Sequence, residues 1–257
     1  MRQHNSLVDP WIDCGLTLIY WAWFIFGFLL FFSWQYLAAA LFFREPEISL
    51  QRLNSRFFQI FLGIIRMTAP GQQIIIDKEV AAIRSAVIIC NHLSYLDPLL
   101  LMALFPRHRT IVKSRFFSLP FFGWVVRKAG YLPSESRGKY ASLLIDQLGN
   151  MEAYLKSGGN LFVFPEGTRS RDGQLGALQQ GALKIARLSQ APIYVLRLRN
   201  TDKLFPPGKF LFQTRAQNSI SLTLVERIEA GGLPAAQVME RIRAAYQLRD
   251  KEVPVIR

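Results

Sequence analysis

The sequence has few cysteines, few histidines and few acidic residues. Two of its 257 residues are cysteines, Cys14 and Cys90, and their wide separation excludes a disulfide scaffold. Neither cysteine forms a CxxC pair and there are three histidines, so no metal site is expected. The 31 basic residues outnumber the 18 acidic ones, giving a net charge of +13, yet the mean hydropathy is +0.17. Nucleic-acid-binding proteins are basic without being this apolar, and no nucleic-acid-binding motif is recognisable, so we expect a membrane partner and no nucleic acid.

Charge is also missing near the N-terminus, where no charged residue lies between Asp13 and Arg44. About 20 helical residues span the ~30 Å hydrocarbon core of a bilayer, so the run predicts an apolar membrane helix over about residues 14–43. A cleaved signal peptide would have an apolar region of ~7–15 residues behind a basic segment. Here the apolar run is longer and only Arg2 precedes it. A buried core helix is the other alternative, although so long an uncharged run is unusual for one.

Residues 48–67 have the pattern of an amphipathic helix. Apolar side chains recur there at three- and four-residue steps, with arginines beside that stripe. Such a helix suits a lipid headgroup layer, packing on the following domain, or both. Arginines follow the apolar run and aspartates precede it, so the positive-inside rule places the C-terminal body in the cytoplasm, at the inner membrane. We assign residues 1–70 to a membrane anchor and residues 71–257 to a second domain.

In the second part of the chain, short β-branched runs alternate with helical segments. The runs predict strands at residues 73–77, 86–90, 110–113, 160–164, 192–198 and 220–226. Helices are predicted at residues 96–105, 119–129, 139–156, 175–189 and 234–248. This alternation is typical of an α/β domain with a largely parallel sheet flanked by helices.

Two polar segments follow predicted strands, where open α/β sheets bind their ligands. In the first, NHLSYLD, His92 follows a buried strand and Asp97 comes five residues later. A histidine is the usual general base near neutral pH, and a carboxylate on its second nitrogen would fix its tautomer. Ser94 and Asp97 also fit a helix capping box, so capping alone is an alternative.

The second segment, FPEGTRS, follows the strand that ends at Phe164. A glycine turn with free amides, a hydroxyl and a guanidinium suits phosphate binding. An ordinary polar turn would use the same proline and glycine.

Together, about 70 residues apart, the two segments resemble the principal motifs of the lysophospholipid acyltransferase family. Asn91, His92 and Asp97 match its NHxxxxD motif, and residues 164–170 match FPEGTRS at every position. The likeness extends over roughly residues 83–228. It implies the glycerolipid acyltransferase fold for the second domain.

The resemblance also implies a reaction. A fatty acyl group would pass from an acyl thioester, either acyl-CoA or acyl carrier protein, to the free hydroxyl of a lysophospholipid. With 1-acylglycerol-3-phosphate as acceptor the product is phosphatidate. His92 would remove the hydroxyl proton and Asp97 would orient His92, with no metal or cofactor. The implied substrate-binding residues are Glu166, Gly167, Thr168, Arg169 and Ser170.

Two departures from the family pattern concern the acceptor. The middle motif, approximately G-x-x-[FP]-[IV]-[DE]-R in the family, has Arg137 one place late, and Val195 stands where a later proline is usual. Lys113 is a further candidate for phosphate contact, since 18 basic and six acidic residues lie between Leu104 and Arg215. Acceptors with another headgroup, or an aminolipid, therefore stay open. A membrane-associated lipid hydrolase is the alternative from another class, although no GxSxG elbow is present.

Overall fold

A computed structural model describes residues 9–135, 137–169, 181–229 and 233–248. Helix α1 (Asp9–Ala22) continues through a π-helical stretch (Trp23–Phe32) into α2 (Ser33–Phe42). The predicted apolar helix is thus present and begins some residues earlier than expected. Helix α3 (Pro46–Thr68) follows and starts with a proline, which suits the first turn because no backbone N–H is needed there.

The N-terminal helix has a packed side and an exposed side. From Pro10 to Phe42 it is long and apolar enough to cross a membrane, with 22% of its most apolar window buried. Tyr20 is fully buried and makes edge-to-face contacts with Phe61 and Phe212, at centroid distances of 5.9 and 5.0 Å. The opposite side exposes large apolar side chains, among them Leu18, Phe26, Leu30 and Phe31.

Helix α3 packs on the rest of the protein, in keeping with the packing that its amphipathic pattern allowed. Its buried face includes polar as well as apolar side chains. Asn54 accepts a hydrogen bond of 2.5 Å from the Tyr36 hydroxyl and donates one of 2.8 Å to the Tyr131 hydroxyl. Tyr131 in turn lies 2.5 Å from Nε2 of His108. This buried chain of hydrogen bonds joins α2 and α3 to the sheet.

Seven strands form one sheet: β1 (Gln72–Ile76), β2 (Ala86–Cys90), β3 (His108–Val112), β4 (Leu132–Pro133), β5 (Asn160–Val163), β6 (Ile193–Arg199) and β7 (Asn218–Ile228). Their order is β1-β7-β6-β2-β5-β3-β4. All neighbouring pairs are parallel except β6 and β7, so the predicted largely parallel sheet is confirmed. Strand β4 has two residues, too few for a periodic pattern to reveal.

The remaining helices are α4 (Lys78–Ala81), α5 (Leu96–Leu104), α6 (Phe122–Lys128), α7 (Ala141–Gly149), α8 (Met151–Lys156), α9 (Gly181–Leu188), α10 (Thr201–Leu204) and α11 (Ala235–Leu248). A 3-10 turn occupies Ser114–Ser118. The prediction of a single helix over residues 139–156 was wrong, because the helix is interrupted between α7 and α8. There Gly149 has low helix propensity and the Asn150 side chain bonds the carbonyl of Asp146. The predicted start of α9, residues 175–180, lies outside the described residues.

Strand β2 lies at the centre of the sheet and is buried along its whole length. Val87 and Ile89 join a core formed with α8, α9 and α11, whereas Ile88 and Cys90 join one formed with α3 and α5. Burial on both faces explains the continuous apolar run AVIIC. Since β2, β3, β4, β5 and β6 are mutually parallel, the residues after them share one edge of the sheet.

Candidate active site

The five residues between β2 and α5 hold a buried carboxylate against a histidine. Asp97 Oδ2 lies 2.9 Å from Nδ1 of His92, and Asp97 is fully buried. The same oxygen accepts hydrogen bonds from the backbone N–H groups of Leu93 (2.5 Å) and Ser94 (2.7 Å). Both interpretations of the motif are therefore compatible, because one carboxylate secures the turn and orients the imidazole. Helix α5 begins at Leu96, so Asp97 lies in its first turn.

The second oxygen of Asp97 has a partner from another part of the sequence. The Thr201 hydroxyl donates a hydrogen bond of 2.5 Å to Asp97 Oδ1. Thr201 begins α10 and is separated by one residue from the end of β6, which is the parallel neighbour of β2. Thr201 was missed by the sequence analysis. Its position as a polar residue shortly after a predicted strand is the one signal in the sequence, and it does not say which strand is the neighbour.

Contacts on several sides fix the His92 ring. Nδ1 donates to Asp97, so Nε2 is the nitrogen with a free lone pair. The ring stacks on Phe164 with centroids 4.2 Å apart, and 16% of the side chain is exposed. The His92 backbone N–H donates to Glu166 Oε1 at 3.1 Å, which ties the first motif to the second. The arrangement offers one accessible basic nitrogen.

Asn91 extends the pairing of β2 with β6 through its side chain. Its Nδ2 donates to the Leu198 carbonyl at 2.9 Å, and its Oδ1 accepts from the Leu198 N–H at 2.7 Å. An amide side chain has both a donor and an acceptor, which matches this pair of backbone groups. Asn91 thereby fixes the direction in which the chain leaves β2.

The FPEGTR turn places an arginine beside the first motif. Gly167 has φ of +67°, the left-handed region that glycine adopts without steric cost. The Arg169 guanidinium lies 3.6 Å from the ring centroid of Tyr95, and its Nη2 donates to the Tyr95 hydroxyl at 2.9 Å. Its Nη1 is buried with no hydrogen-bond partner in the described part of the chain. Thr168 is exposed next to it, whereas Ser170 lies outside the described residues.

Lys113 and Arg137 lie on the same edge of the sheet but farther along it. Lys113 follows β3 and Arg137 comes shortly after β4, and both side chains are exposed. Adjacent strands are about 4.8 Å apart, so these segments begin roughly 10 and 14 Å from the end of β2. Ser114 bonds the backbone N–H of Glu135 at 3.2 Å and joins the two segments. The structure therefore groups Lys113 with the middle motif rather than with His92.

Cys90 is not available as a nucleophile. Burial, and then the nearby carboxylates of Asp97 and Glu166, raise the pKa of the Cys90 thiol well above its ordinary value. A thiol in such surroundings stays protonated and unreactive.

The expectation that neither a metal nor a cofactor takes part stays a prediction.

Comparisons with known proteins agree with this site. The Acyltransferase family model matches residues 73–199, which contain both motifs. A chloroplastic 1-acyl-sn-glycerol-3-phosphate acyltransferase of Brassica napus is 34% identical over 122 residues, covering 48% of this chain and 35% of the relative. A lyso-ornithine lipid O-acyltransferase of Pseudomonas aeruginosa is 31% identical over 176 residues, covering 62% of this chain and 66% of the relative. The chain thus spans between about a third and two thirds of these relatives.

A solved structure shares the fold. The crystal structure of the 1-acyl-sn-glycerophosphate acyltransferase of Thermotoga maritima superposes with a TM-score of 0.70, covering 96% of this chain and all of that one. Its sequence identity is 19%, so this comparison speaks for the fold alone. The matched domain, the relatives and the two motifs meeting at one edge of the sheet lead to one conclusion: the chain belongs to the lysophospholipid acyltransferase family.

Proposed function

We propose that the protein is a membrane-bound O-acyltransferase that moves a fatty acyl group from an acyl thioester to the free hydroxyl of 1-acylglycerol-3-phosphate. The observation that carries the proposal is the contact of 2.9 Å between His92 Nδ1 and Asp97 Oδ2. It leaves Nε2 free to accept a proton at the edge that also carries Arg169. The family and the names of the relatives support this reaction.

In the proposed step His92 Nε2 takes the proton of the acceptor hydroxyl. The oxygen attacks the thioester carbonyl, the carbon–sulfur bond breaks, and the ester forms. The imidazolium then returns its proton to the leaving thiolate. Asp97 stabilises the transient positive charge on the ring, as a buried carboxylate with several donors can do without itself taking the proton.

The acceptor phosphate is assigned to the FPEGTR turn. The orphaned Nη1 of Arg169 is a buried donor in the described residues, and a phosphate oxygen would satisfy it. The exposed Thr168 hydroxyl supplies a further donor, and Gly167 and Ser170 belong to the same predicted set. Glu166 holds the backbone of His92, which makes it an organising residue of this turn.

Acyl-CoA and acyl carrier protein are both proposed as donors, with no metal or cofactor. The apolar N-terminal helix is the proposed membrane anchor, which supports access to a lipid acceptor. The excess of arginines after that helix supports a catalytic domain on the cytoplasmic side of the inner membrane.

A second acceptor is favoured by a specific relative. The matched protein of Pseudomonas aeruginosa is named for a lyso-ornithine lipid, which is an aminolipid. The displaced Arg137 also weakens the case for a family-typical phosphate site near β4. If the aminolipid is the acceptor, His92 would remove the proton of its hydroxyl in the same way. Arg169 would then have no acceptor phosphate to bind.

The test is a direct competition between acceptors. The purified full chain in detergent receives equimolar 1-acylglycerol-3-phosphate and lyso-ornithine lipid, with acyl-CoA or acyl carrier protein thioester in separate reactions. Mass spectrometry of the lipid products is expected to find phosphatidate in excess. An excess of acylated ornithine lipid would identify lyso-ornithine lipid, instead of 1-acylglycerol-3-phosphate, as the acceptor. Free fatty acid without any acylated lipid would indicate a hydrolase and overturn the transferase proposal.

A further inference from the structure

The turn between β3 and α6 has an apolar tip, defined as residues 119–122, that touches the N-terminal helix. Leu119, Phe121 and Phe122 are each exposed over more than 40% of their surface. The Phe121 ring nevertheless makes an edge-to-face contact with Phe28, at a centroid distance of 4.9 Å. The tip thus continues the exposed apolar surface of the anchor helix onto the catalytic domain.

The backbone of the tip is held in an unfavourable conformation. Phe121 has φ of +57°, in the left-handed region that is uncommon and strained for a bulky residue. The neighbouring Gly123 lies so close to the Phe117 carbonyl that a Cβ atom would collide with it. Arg127 donates a hydrogen bond to the same carbonyl. These contacts fix the backbone of the turn that carries the tip.

Behind the tip is an open cavity of about 510 Å³. Its walls are residues 117–121, Tyr140 and two cationic side chains, Arg127 and Lys139. Ser118 and Tyr140 are joined by a hydrogen bond of 2.8 Å between their hydroxyls, which adds polar atoms to the same wall. The cavity therefore combines an apolar side, next to the anchor, with a cationic side.

We propose that this cavity is a binding site for a phospholipid of the membrane, with the phosphate between Arg127 and Lys139 and the acyl chains against Leu119 and Phe121. Charge complementarity supports an anionic headgroup, since residues 113–139 contain six basic side chains and one acidic one. Continuity with the anchor surface supports a lipid rather than a soluble phosphate ester. The site is separate from His92, because its walls follow β3 and β4, whereas His92 follows β2. Binding there would fix the height of the catalytic edge above the bilayer.

A binding experiment tests this without relying on acyl transfer. The full chain in detergent is titrated by calorimetry with dihexanoylphosphatidylglycerol below its micelle concentration. Saturable binding is expected, and dihexanoylphosphatidylcholine should bind more weakly because its headgroup is zwitterionic. Lys139→Gln should weaken phosphatidylglycerol binding roughly ten-fold or more, as expected for loss of a direct charged contact.

Lys128→Gln is the matched control, because Lys128 is exposed beside Arg127 but does not line the cavity. Diffuse attraction to a charged surface acts on every nearby cation alike, so equal losses in Lys128→Gln and Lys139→Gln would overturn the proposal. Arg127→Gln should behave like Lys139→Gln, although the loss of its contact with Phe117 makes a folding check by circular dichroism necessary. If Arg127→Gln misfolds, the comparison of Lys139→Gln with Lys128→Gln tests the proposal by itself.

Two competitors distinguish other sources of phosphate. Displacement of phosphatidylglycerol by coenzyme A would show that the cavity binds the acyl donor. Displacement by 1-acylglycerol-3-phosphate, with a raised KM for that lipid in Lys139→Gln, would assign it to the acceptor. Either result would overturn a separate phospholipid site, while leaving the proposed acyl transfer intact.

Discussion

Thr201 donates a hydrogen bond of 2.5 Å to Oδ1 of Asp97, the oxygen that His92 does not contact, although the two residues are 104 positions apart in the sequence. With His92 and two backbone amides on the other oxygen, the buried carboxylate has four hydrogen-bond donors. A carboxylate held in this way cannot rotate without breaking several bonds. The orientation of the His92 imidazole therefore depends on Thr201, in the segment after β6, as well as on the NHxxxxD motif.

Thr201 is accordingly expected to be a positioning residue. Thr201→Val should lower kcat by roughly ten-fold, the effect of one hydrogen bond to a charged group, with little change in either KM. Thiol release from acyl-CoA measures this. Thr201→Ser keeps the hydroxyl and should restore most of the rate. If valine and serine variants lost the same activity, the methyl packing of Thr201 would matter and its hydrogen bond would not.

Asp97→Asn should reduce kcat further, because an amide has no charge to stabilise the imidazolium. The backbone bonds from Leu93 and Ser94 are still accepted by the amide oxygen, so the turn should stay folded. Thiol release and circular dichroism, measured together, check both statements. A folded Asp97→Asn variant with native kcat would reduce Asp97 to a cap of α5.

Arg169 is expected to hold the acceptor phosphate. Arg169→Ala should raise the KM for the lysolipid by roughly 10- to 150-fold, as for a lost hydrogen bond to a charged group, and leave the KM for the thioester almost unchanged. Arg169→Lys should recover only part of this, because lysine has no planar pair of donors. Arg187→Ala, an exposed arginine on α9, is the control for simple loss of charge. An increased KM for the thioester alone would assign the turn to the donor instead.

Tyr95 should contribute to the same step through Arg169. Tyr95→Phe removes the 2.9 Å hydrogen bond and keeps the stacking ring, whereas Tyr95→Ala removes both. We expect the alanine variant to have the larger increase in KM for the lysolipid. Arg137→Ala, measured in parallel, decides whether the displaced arginine of the middle motif also acts on the acceptor. A comparable defect in Arg137→Ala would indicate that it does.

Stability should fall in mild acid because of His108. Burial lowers its pKa from the ordinary 6.5 to about 4, because a charged ring would lose its solvation, although the hydrogen bond to the Phe105 carbonyl acts in the opposite direction. Between those values the unfolded chain binds a proton that the folded chain does not, so stability is complete above pH 6.5 and decreases as the pH falls towards 4. The decrease amounts to about 3 kcal/mol at pH 4. Thermal unfolding of the full chain at several pH values measures it.

His108→Gln is the control for that titration. The variant should be less stable at neutral pH, because it loses part of the buried network, yet it should vary less with pH between 6.5 and 4. An unchanged pH dependence would show that other groups cause the acid sensitivity.

The sequence predicted the secondary-structure elements that depend on residues close together in the chain. Strand β2 was located to the residue because the fully buried run AVIIC ends where polar residues begin. His92 and Asp97 were found by their spacing, and the contact between them follows from a tight turn before α5. The sheet was predicted as largely parallel, but the reversal between β6 and β7 depends on a long connection whose path has no local signature.

The contacts that join distant segments were not predictable in this way. Thr201 on Asp97, Tyr95 under Arg169 and Phe164 on His92 all depend on which strands become neighbours. Strand order brings β2 between β5 and β6, and no periodicity in the chain encodes that choice. The family resemblance named the two motifs, but the positioning residues around them became apparent only from the three-dimensional contacts.

The central claim is that His92 activates a lysolipid hydroxyl towards an acyl thioester, and one measurement tests it most directly. The full chain and its His92→Ala variant are compared for thiol release and for acylated lipid, with 1-acylglycerol-3-phosphate and acyl-CoA as substrates. Loss of a general base lowers rates by about 10²–10⁴-fold, so the variant should fold, bind the lysolipid and lose thiol release and phosphatidate together by that factor. A folded His92→Ala variant that still forms phosphatidate at a near-native rate would contradict the account.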